Sequence, residues 1–326
     1  KEKMKEIDLA IVGDIAFNHD ITPNGERTSI GGAAYYSSVG AAHFSDKVGV
    51  VAQVGEDFEL KLLKNKGLDT EGISRIQGET CRFVLTQYSD NSRKFKARRG
   101  VATVADTQIF PNHYHKARYI HLSTQLPEHS LIWLNFLQEH KNVSVDTFES
   151  FVKEFPELTI EMIKKANIVF ANEAEYSELK HLGEIISEKL LILKKGNVGA
   201  LYIADGEVKY VPAPQIKAIE TTGAGDVLAG AFLALRAQNH GILWSLEQAV
   251  NLASKSVTAF GVEHLPSKEF MNRAPKRITA AVLINECGEL FLGRAKKIDG
   301  ALIIPGGHFE NGESDEECIR REIKEE

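Results

Sequence analysis

TTGAGDVLAGAF, which runs from Thr221 to Phe232, is the stretch that decides the interpretation of this chain. Two glycines flank an alanine, an aspartate follows, and apolar residues then recur at helical spacing. Glycine lets the backbone approach a ligand closely, and the first N–H groups of a helix lack intrahelical partners at the positive end of its dipole. A glycine loop that opens a helix therefore predicts an anion site, with Gly223, Ala224 and Gly225 offering N–H groups to a phosphate.

Asp226 stands directly after this loop. A carboxylate beside a phosphate cradle suits one task well, which is to take a proton from a hydroxyl that attacks the phosphate. The alternative is a structural glycine turn in which Asp226 caps the helix. These residues alone leave both interpretations open.

Composition excludes several classes of protein. The chain has 326 residues, of which 43% are hydrophobic and 26% charged, and its length suits one large α/β domain plus an additional piece. A net charge of −6 without a long basic run argues against nucleic-acid binding. Cys81, Cys287 and Cys318 are too few and too scattered for a disulfide framework or a metal site, so we expect a reducing, cytoplasmic location. No apolar run approaches 18 residues, so no membrane span is expected.

Two common nucleotide-binding signatures are also missing. The chain has no GxxxxGK[ST], which excludes a P-loop. GAGDVL does not complete GxGxxG and lies late in the chain, so the pattern for a dinucleotide site is weak.

The hydrophobic pattern predicts alternating strands and helices, and hence a parallel sheet covered on both faces. Polar or alternating excursions at 20–30 and 82–99 are predicted to pair into a small lid sheet. Strands are predicted at 7–13, 47–55, 118–123, 142–147, 167–171 and 189–194, a hairpin at 201–211, and helices at 33–44, 57–67, 128–140, 159–166, 173–182, 226–239 and 244–260.

The pattern changes near residue 262. We expect a first domain at 1–265, a linker with two prolines and mixed charge at 266–276, and the N-terminal part of a second domain at 277–326. The second domain begins with a β-hairpin pattern and ends in a charged helix.

Several motifs, in order over about residues 5–265, resemble the ribokinase-like (PfkB-type) carbohydrate kinase family. They are GDIAFN (13–18), IGGAAYYSSVGAAHF (30–44), VAQVGEDF (51–58), NEAE (172–175), KKGNVGALYI (194–203) and ETTGAGDVLAGAF (220–232). The resemblance implies a three-layer α/β sandwich with a mainly parallel central sheet and a small β lid. It also implies an ATP-dependent kinase that phosphorylates a hydroxyl of a sugar, polyol or nucleoside.

The same resemblance implies roles for particular residues. Asp226 matches the family's catalytic base, and Gly223–Gly225 match its anion hole. Asn172 and Glu175 match the positions that organise Mg²⁺ and its waters, although both also fit a capped helix start. The residues expected to border the nucleotide are Asn172, Lys194, Gly196, Gly199, Thr222, Gly225 and Asn251.

On the acceptor side the resemblance implies contacts from Asn18, Gly31 and Gly32, and we add Arg98 of the lid as a candidate. Many relatives carry Asp where this chain has Asn18, and ribokinases proper carry Asn where it has Tyr36, so ribose itself is doubtful. Our leading interpretation is a sugar or polyol kinase, with inositol-like acceptors included. The alternatives are a nucleoside kinase of the same family and a catalytically weak sugar-sensing module. We expect a small-molecule partner and a homodimer through the lid.

GHFENGESDEECIRREIKEE (307–326) resembles the Nudix box and follows an α+β pattern. Gly307, Glu313 and Arg321 fall at the expected spacing. Glu322, Glu325 and Glu326 share one helical face, where a divalent cation would relieve their repulsion. The resemblance implies a diphosphate hydrolase fold that is truncated here, so we expect this portion alone to have no hydrolase activity.

Overall fold

The structure is a computed structural model that describes residues 6–22, 25–87, 93–180, 189–268, 278–280, 293–294, 302–303, 306–308 and 315–325. The chain divides into two compact units, Lys1–Phe270 and Met271–Glu326. Within the described ranges, no helix is both long and apolar enough to cross a membrane.

A nine-stranded sheet forms the centre of the first unit, in the order β13-β12-β11-β10-β9-β8-β1-β4-β5. The strands from β11 to β5 in that order run parallel, and β12 and β13 are antiparallel. The bounds are β1 Leu9–Val12, β4 Val48–Gly55, β5 Asp69–Ile76, β8 Tyr119–Leu122, β9 Val143–Asp146, β10 Ile168–Asn172, β11 Leu190–Lys194, β12 Gly199–Ala204 and β13 Glu207–Pro212.

Helices cover both faces of this sheet, which is why its inner strands are continuous apolar runs rather than alternating ones. Leu9 and Ile11 of β1 belong to one core, and Ala10 and Val12 to the other. The helices are α1 Ala33–Phe44, α2 Lys61–Lys64, α3 Pro127–Phe136, α4 Glu149–Glu154, α5 Pro156–Lys165, α6 Glu173–Leu179, α7 Ala224–Ala237 and α8 Ile242–Ser256. Of these, α1, α7 and α8 contribute to the first core, and α3 to α6 contribute to the second. The predicted three-layer α/β architecture is confirmed.

Glycines allow α1 and α7 to pack with their backbones almost in contact. A Cβ atom at Gly40 would collide with the backbone of Val227, and one at Gly230 would collide with the backbone of Ser37. The close packing matters for the site because the loops that open both helices then lie together.

The predicted lid is a separate four-stranded sheet in the order β3-β2-β6-β7. Its strands are β2 Ala16–Thr22, β3 Gly25–Gly31, β6 Cys81–Gln87 and β7 Arg93–Arg98. The lid is anchored at its base, where Ala16 and Cys81 are buried together. The turn expected at 90–92 lies outside the described residues.

Some predicted elements differ from the structure. The helix expected at 57–67 is reduced to the single turn of α2. Hydrogen bonds between residues three apart replace the α-helical pattern before and after this turn, and the segment ends at Gly67, which has a φ of 75°. Strand β5 and helix α4 were not predicted. The hairpin turn at Asp205–Gly206 is present, with positive φ at both residues, as a two-residue hairpin loop requires.

In the second unit, short strands pair across the described residues. β14 (Ile278–Ala280) pairs with β17 (Gly306–His308), and β15 (Gly293–Arg294) pairs with β16 (Leu302–Ile303). The predicted charged helix is α9, Asp315–Glu325. Gly307 lies in β17, and Arg321, Glu322 and Glu325 lie in α9, whereas Glu313 and Glu326 lie outside the described residues.

Candidate active site

The glycine loop opens α7 in the strained geometry that favours glycine. Gly223 is the N-cap residue and has a φ of 78°, in the left-handed region. A Cβ atom at Gly223 would also collide with the ring of Tyr36, one turn into α1. Within the described part of the chain no side chain caps this helix end. The N-terminus of α7 therefore has the form of an anion site.

A cleft of about 320 Å³ lies in front of this loop. Five of the residues predicted to border the nucleotide line it: Asn172, Lys194, Gly196, Gly199 and Gly225. The two others, Thr222 and Asn251, are not among the described residues that line the cleft. Val250, Ala253 and Ser254 of α8 form part of its wall instead, together with Val257.

Asp226 lies in the first turn of α7 and is half-buried. Its pKa is raised to about 8, first by burial and then by the nearby carboxylates of Asp146 and Glu175, while the cation of Lys194 opposes the rise. A carboxyl group with this pKa can both accept and release a proton near neutral pH.

Lys194, at the end of β11, forms a buried ion pair with Asp146, at the end of β9. Its Nζ donates to both carboxylate oxygens, at 2.6 and 2.8 Å. The Asp146 charge, together with those of Glu175 and Asp226, holds the pKa of Lys194 above its usual value in spite of burial. The Lys194 ammonium therefore stays charged. It lies beside Gly225 at the edge of the cleft, 3.2 Å from the position that a Cβ atom of that residue would occupy.

Glu175 is buried and fixed by hydrogen bonds on both carboxylate oxygens. Oε2 accepts from the Thr147 hydroxyl at 2.7 Å and from the Asn172 backbone N–H at 2.8 Å, and Oε1 accepts from the Asn172 side chain at 2.7 Å. Asn172 in turn accepts from the Glu175 N–H, which completes a capping box at the start of α6. Loss of solvation on burial is the main reason that the pKa of Glu175 is raised.

Sequence reasoning did not single out Asp146 and Thr147. A signal was available, because Asp146 ends a buried strand, Thr147 follows it, and the carboxyl ends of parallel strands meet at one edge of the sheet. Asp146, Asn172 and Lys194 end three neighbouring strands.

The acceptor-side candidates cluster where the lid meets α1. Asn18 of β2 donates from Nδ2 to the Tyr36 hydroxyl at 2.7 Å. The Asn18 amide occupies the space that a side chain at Gly31 would need. Gly32, the N-cap of α1, has a φ of 92° and lies against the backbone of Asp14. Since Tyr36 also packs on Gly223, the acceptor-side residues and the glycine loop adjoin one another.

Arg98 is not brought to this cluster. It pairs with Arg82, which pairs with Phe17, whereas Asn18 pairs with Phe83. Cross-strand partners share a face of a sheet and successive residues alternate. Arg98 therefore lies on the lid face opposite Asn18, where it is exposed, while Arg82 binds Asp57 at 2.6 Å.

The donor set of the site is chemically suited to a hard cation. Asp146 and Asn172 end adjacent strands and Glu175 lies in the first turn of α6, so the site offers carboxylate and amide oxygens, which Mg²⁺ prefers together with water and phosphate. Because Lys194 and the capping box already occupy these oxygens, the residues fit contact through water better than direct ligation. Among the described residues, the three side chains of metal-ligating types whose atoms lie within 4.8 Å of one another are elsewhere, at Asp69, Glu71 and His113.

Comparison with known proteins decides the family. The model of the pfkB family of carbohydrate kinases matches residues 3–268. The chain belongs to the pfkB family. A model of the NUDIX domain matches residues 274–326.

Three relatives illustrate the range of this family. A cytidine kinase of Thermococcus kodakarensis is 31% identical over 246 residues, covering 70% of this chain and 88% of that protein. A deoxyribokinase of Salmonella typhi is 22% identical, covering 82% of this chain and 98% of that protein. A solved structure of a Methanocaldococcus jannaschii nucleoside kinase has a TM-score of 0.70 at 21% identity, covering 82% of this chain and 98% of that chain. The ribokinase-like fold is thus confirmed.

This pfkB-family chain is therefore a kinase of small molecules, with ATP as the phosphoryl donor that the family implies. The relatives act on sugars or nucleosides, and the expectation of an inositol-like acceptor gains no support from them.

Proposed function

We propose that the first unit is a nucleoside kinase that transfers the γ-phosphoryl group of ATP to a hydroxyl of the nucleoside sugar. The observation that carries the proposal is the position of Asp226. It lies in the first turn of α7, beside the glycine loop that faces the cleft, and close to Tyr36, whose hydroxyl is bonded to Asn18.

In this proposal Asp226 takes the proton of the acceptor hydroxyl as its oxygen attacks the γ-phosphorus in line. The O–P bond to the acceptor forms while the bond from the γ-phosphorus to the bridging oxygen of ADP breaks. The N–H groups of Gly223–Gly225 and the ammonium of Lys194 stabilise the negative charge that develops on the phosphoryl oxygens. Asp146 serves to keep Lys194 charged and in place.

Asn172 and Glu175 would hold Mg²⁺ through its water ligands, with Thr147 orienting the Glu175 carboxylate. The bound cation would neutralise charge on the phosphates of ATP. We predict that Asn172→Ala weakens Mg²⁺-dependent ATP binding.

Two features favour a nucleoside over a free sugar. The most extensive identity described above, 31%, is to a protein named as a cytidine kinase, and the solved structure cited is that of a nucleoside kinase. Tyr36 also departs from the Asn of ribokinases proper, and Asn18 departs from the Asp of many relatives. The second candidate is a pentose kinase, which the similarity to a deoxyribokinase favours.

An ADP-formation screen tests the function. The purified protein is assayed with MgATP against cytidine, uridine, adenosine, inosine, ribose and deoxyribose. We expect turnover with at least one nucleoside to exceed that with either pentose. A preference for a pentose would instead establish the second candidate, and no turnover with any of these acceptors would contradict kinase activity toward this class.

Variants then test the assigned base. Asp226→Asn should lower turnover by about 10²- to 10⁴-fold, the usual contribution of a positioned base, while ATP still binds. Asp205→Asn, in the exposed hairpin turn, is the matched control and should retain full activity. Comparable activity in the two variants would remove Asp226 from the mechanism.

Sedimentation of the wild-type chain at several concentrations tests the predicted homodimer.

A further inference from the structure

A second, smaller cavity of about 30 Å³ lies at the carboxyl ends of β1 and β4. Asp14 follows β1, Gln53 lies near the end of β4, and Gln125 and His129 approach from the region of α3. Val12, Val51 and Trp133 supply apolar wall. A space of this size holds one or two water-sized polar groups.

Gln125 points to the kind of ligand that the cavity takes. Its side chain is 7% exposed, and its Nε2 atom is buried and has no hydrogen-bond partner among the described residues. A buried N–H donor left without a partner is costly, so native proteins nearly always satisfy it with a protein group or an ordered water. The unmet donor of Gln125 therefore calls for an acceptor atom in the cavity.

The remaining polar groups define the other half of the ligand. The half-buried carboxylate of Asp14 is an acceptor, and burial raises its pKa to about 6 while the positive charge of Arg99 opposes that rise. The ring of His129 is hydrogen-bonded by the backbone of Thr103, and burial lowers its pKa, so it adds little positive charge. The amide donor of Gln125 and the carboxyl acceptor of Asp14 thus line the same small cavity.

The cavity adjoins the acceptor side of the active site. Asp14 lies four residues before Asn18, and its backbone carbonyl accepts a hydrogen bond from Ala34 in the first turn of α1, next to Gly32. In open α/β sheets, ligands bind along the carboxyl ends of the strands. A molecule whose sugar lies at Asn18 and Gly32 would therefore meet this cavity only if it carries a further polar group.

We propose that the cavity is the subsite for the polar edge of a nucleobase. Gln125 Nε2 donates to a carbonyl oxygen or ring nitrogen of the base, and Asp14 accepts from the adjacent amino or ring N–H group. This proposal rests on the nucleoside-kinase function proposed above. The ring itself stays outside the cavity, which has room only for its edge. A free pentose has no group for this subsite, so the cavity distinguishes the two acceptor classes.

Calorimetric binding of cytidine and ribose in the absence of ATP tests the subsite separately from turnover. Gln125→Met keeps the length of the side chain and removes the donor. It should weaken cytidine binding about 5- to 100-fold, the range for leaving one hydrogen-bonding group unpaired, and should leave ribose binding within twofold. Gln138→Met, at an exposed position just after α3, is the matched control and should change neither affinity.

The outcomes separate the subsite from the function. Equal affinities of wild type and Gln125→Met for cytidine, or an equal loss for cytidine and ribose, would overturn the subsite even if nucleosides are phosphorylated. A selective loss of cytidine affinity supports the subsite even if the acceptor screen shows no nucleoside turnover, which would count against the proposed function alone. Should Gln125→Met fail to fold, Gln125→Glu is used, because it keeps a polar group of the same shape but replaces the donor with an acceptor. It must also weaken cytidine binding selectively, and unchanged binding would refute the subsite.

Discussion

Two lysine–carboxylate pairs of the same length allow the effect of burial to be measured directly. Lys194 Nζ lies 2.6 Å from Asp146, and Lys153 Nζ lies 2.6 Å from Glu149. The side chains of the first pair are 15% and 1% exposed, and those of the second are 52% and 45% exposed. The shortest contact distances are equal, so the pairs differ in exposure and in the second contact that Lys194 Nζ makes with Asp146, at 2.8 Å.

Asp146→Asn is expected to destabilise the kinase unit strongly, because it leaves the Lys194 cation buried without its bidentate partner. Removing one member of a buried pair costs about 3–5 kcal/mol. We expect the lower end, about 3 kcal/mol, because Lys194 keeps some exposure and still faces Glu175 and Asp226. Glu149→Gln should leave the free energy of unfolding unchanged, because an exposed pair gains little in water.

Urea unfolding followed by tryptophan fluorescence measures this difference. Both tryptophans of the chain, Trp133 and Trp244, lie in the first unit, so the signal reports that unit. With an unfolding slope of about 3 kcal/mol per M, the midpoint of Asp146→Asn should fall by about 1 M.

A double variant separates charge from packing. Asp146→Leu combined with Lys194→Met removes both charges, so it should recover part of the stability that Asp146→Asn loses. If Asp146→Asn unfolds at the midpoint of Glu149→Gln, or if the double variant is less stable than the single one, the reasoning from an uncompensated buried charge is refuted.

Three further predictions concern the site itself. Because the pKa of Asp226 is raised to about 8 and only its deprotonated form accepts a proton, kcat/KM should rise with pH and level off above about pH 8; a flat profile below that pH would contradict the assignment. Gly223→Ala should lower turnover and thermal stability more than Gly206→Ala does. The two glycines have a φ near 77°, but only a Cβ atom at Gly223 would meet an aromatic ring, that of Tyr36. Equal effects of the two variants in calorimetry and in the activity assay would show that this contact is unimportant. Thr147→Val removes the buried hydroxyl that donates to Glu175, so the Mg²⁺ concentration for half-maximal activity should rise several-fold, and an unchanged titration would show that Glu175 needs no such support.

Local patterns predicted most of the sheet and the glycine loop. The buried strands were found within two residues of their bounds, because a strand covered on both faces is a continuous apolar run. The loop before Asp226 was found because its glycines meet a local need, the left-handed φ at Gly223, that the sequence itself displays. The segment at 57–67 shows the limit of such patterns, since an amphipathic spacing was present yet only Lys61–Lys64 form a helical turn.

The rest of the site depends on contacts between distant segments. Asp146 looks like any acidic residue after a strand until β9 and β11 are placed on either side of β10, which brings its carboxylate to Lys194. The contact between Tyr36 and Gly223 likewise requires the close packing of α1 on α7. Such pairings follow from strand order and helix packing, which no single segment contains.

Arg98 shows how a correct local prediction can still misplace a residue. The alternating pattern of 82–99 predicted a hairpin, and β6 and β7 do pair. Which face of the lid each residue occupies is set by register, because side chains alternate along a strand. Here Phe17, Arg82 and Arg98 are aligned, and so are Asn18, Phe83 and Ala97. A slip of one residue between β6 and β7 would have aligned Arg98 with Phe83 and placed Arg98 on the same face as Asn18. The location of Arg98 away from the acceptor side therefore results from a strand register that the sequence pattern does not determine.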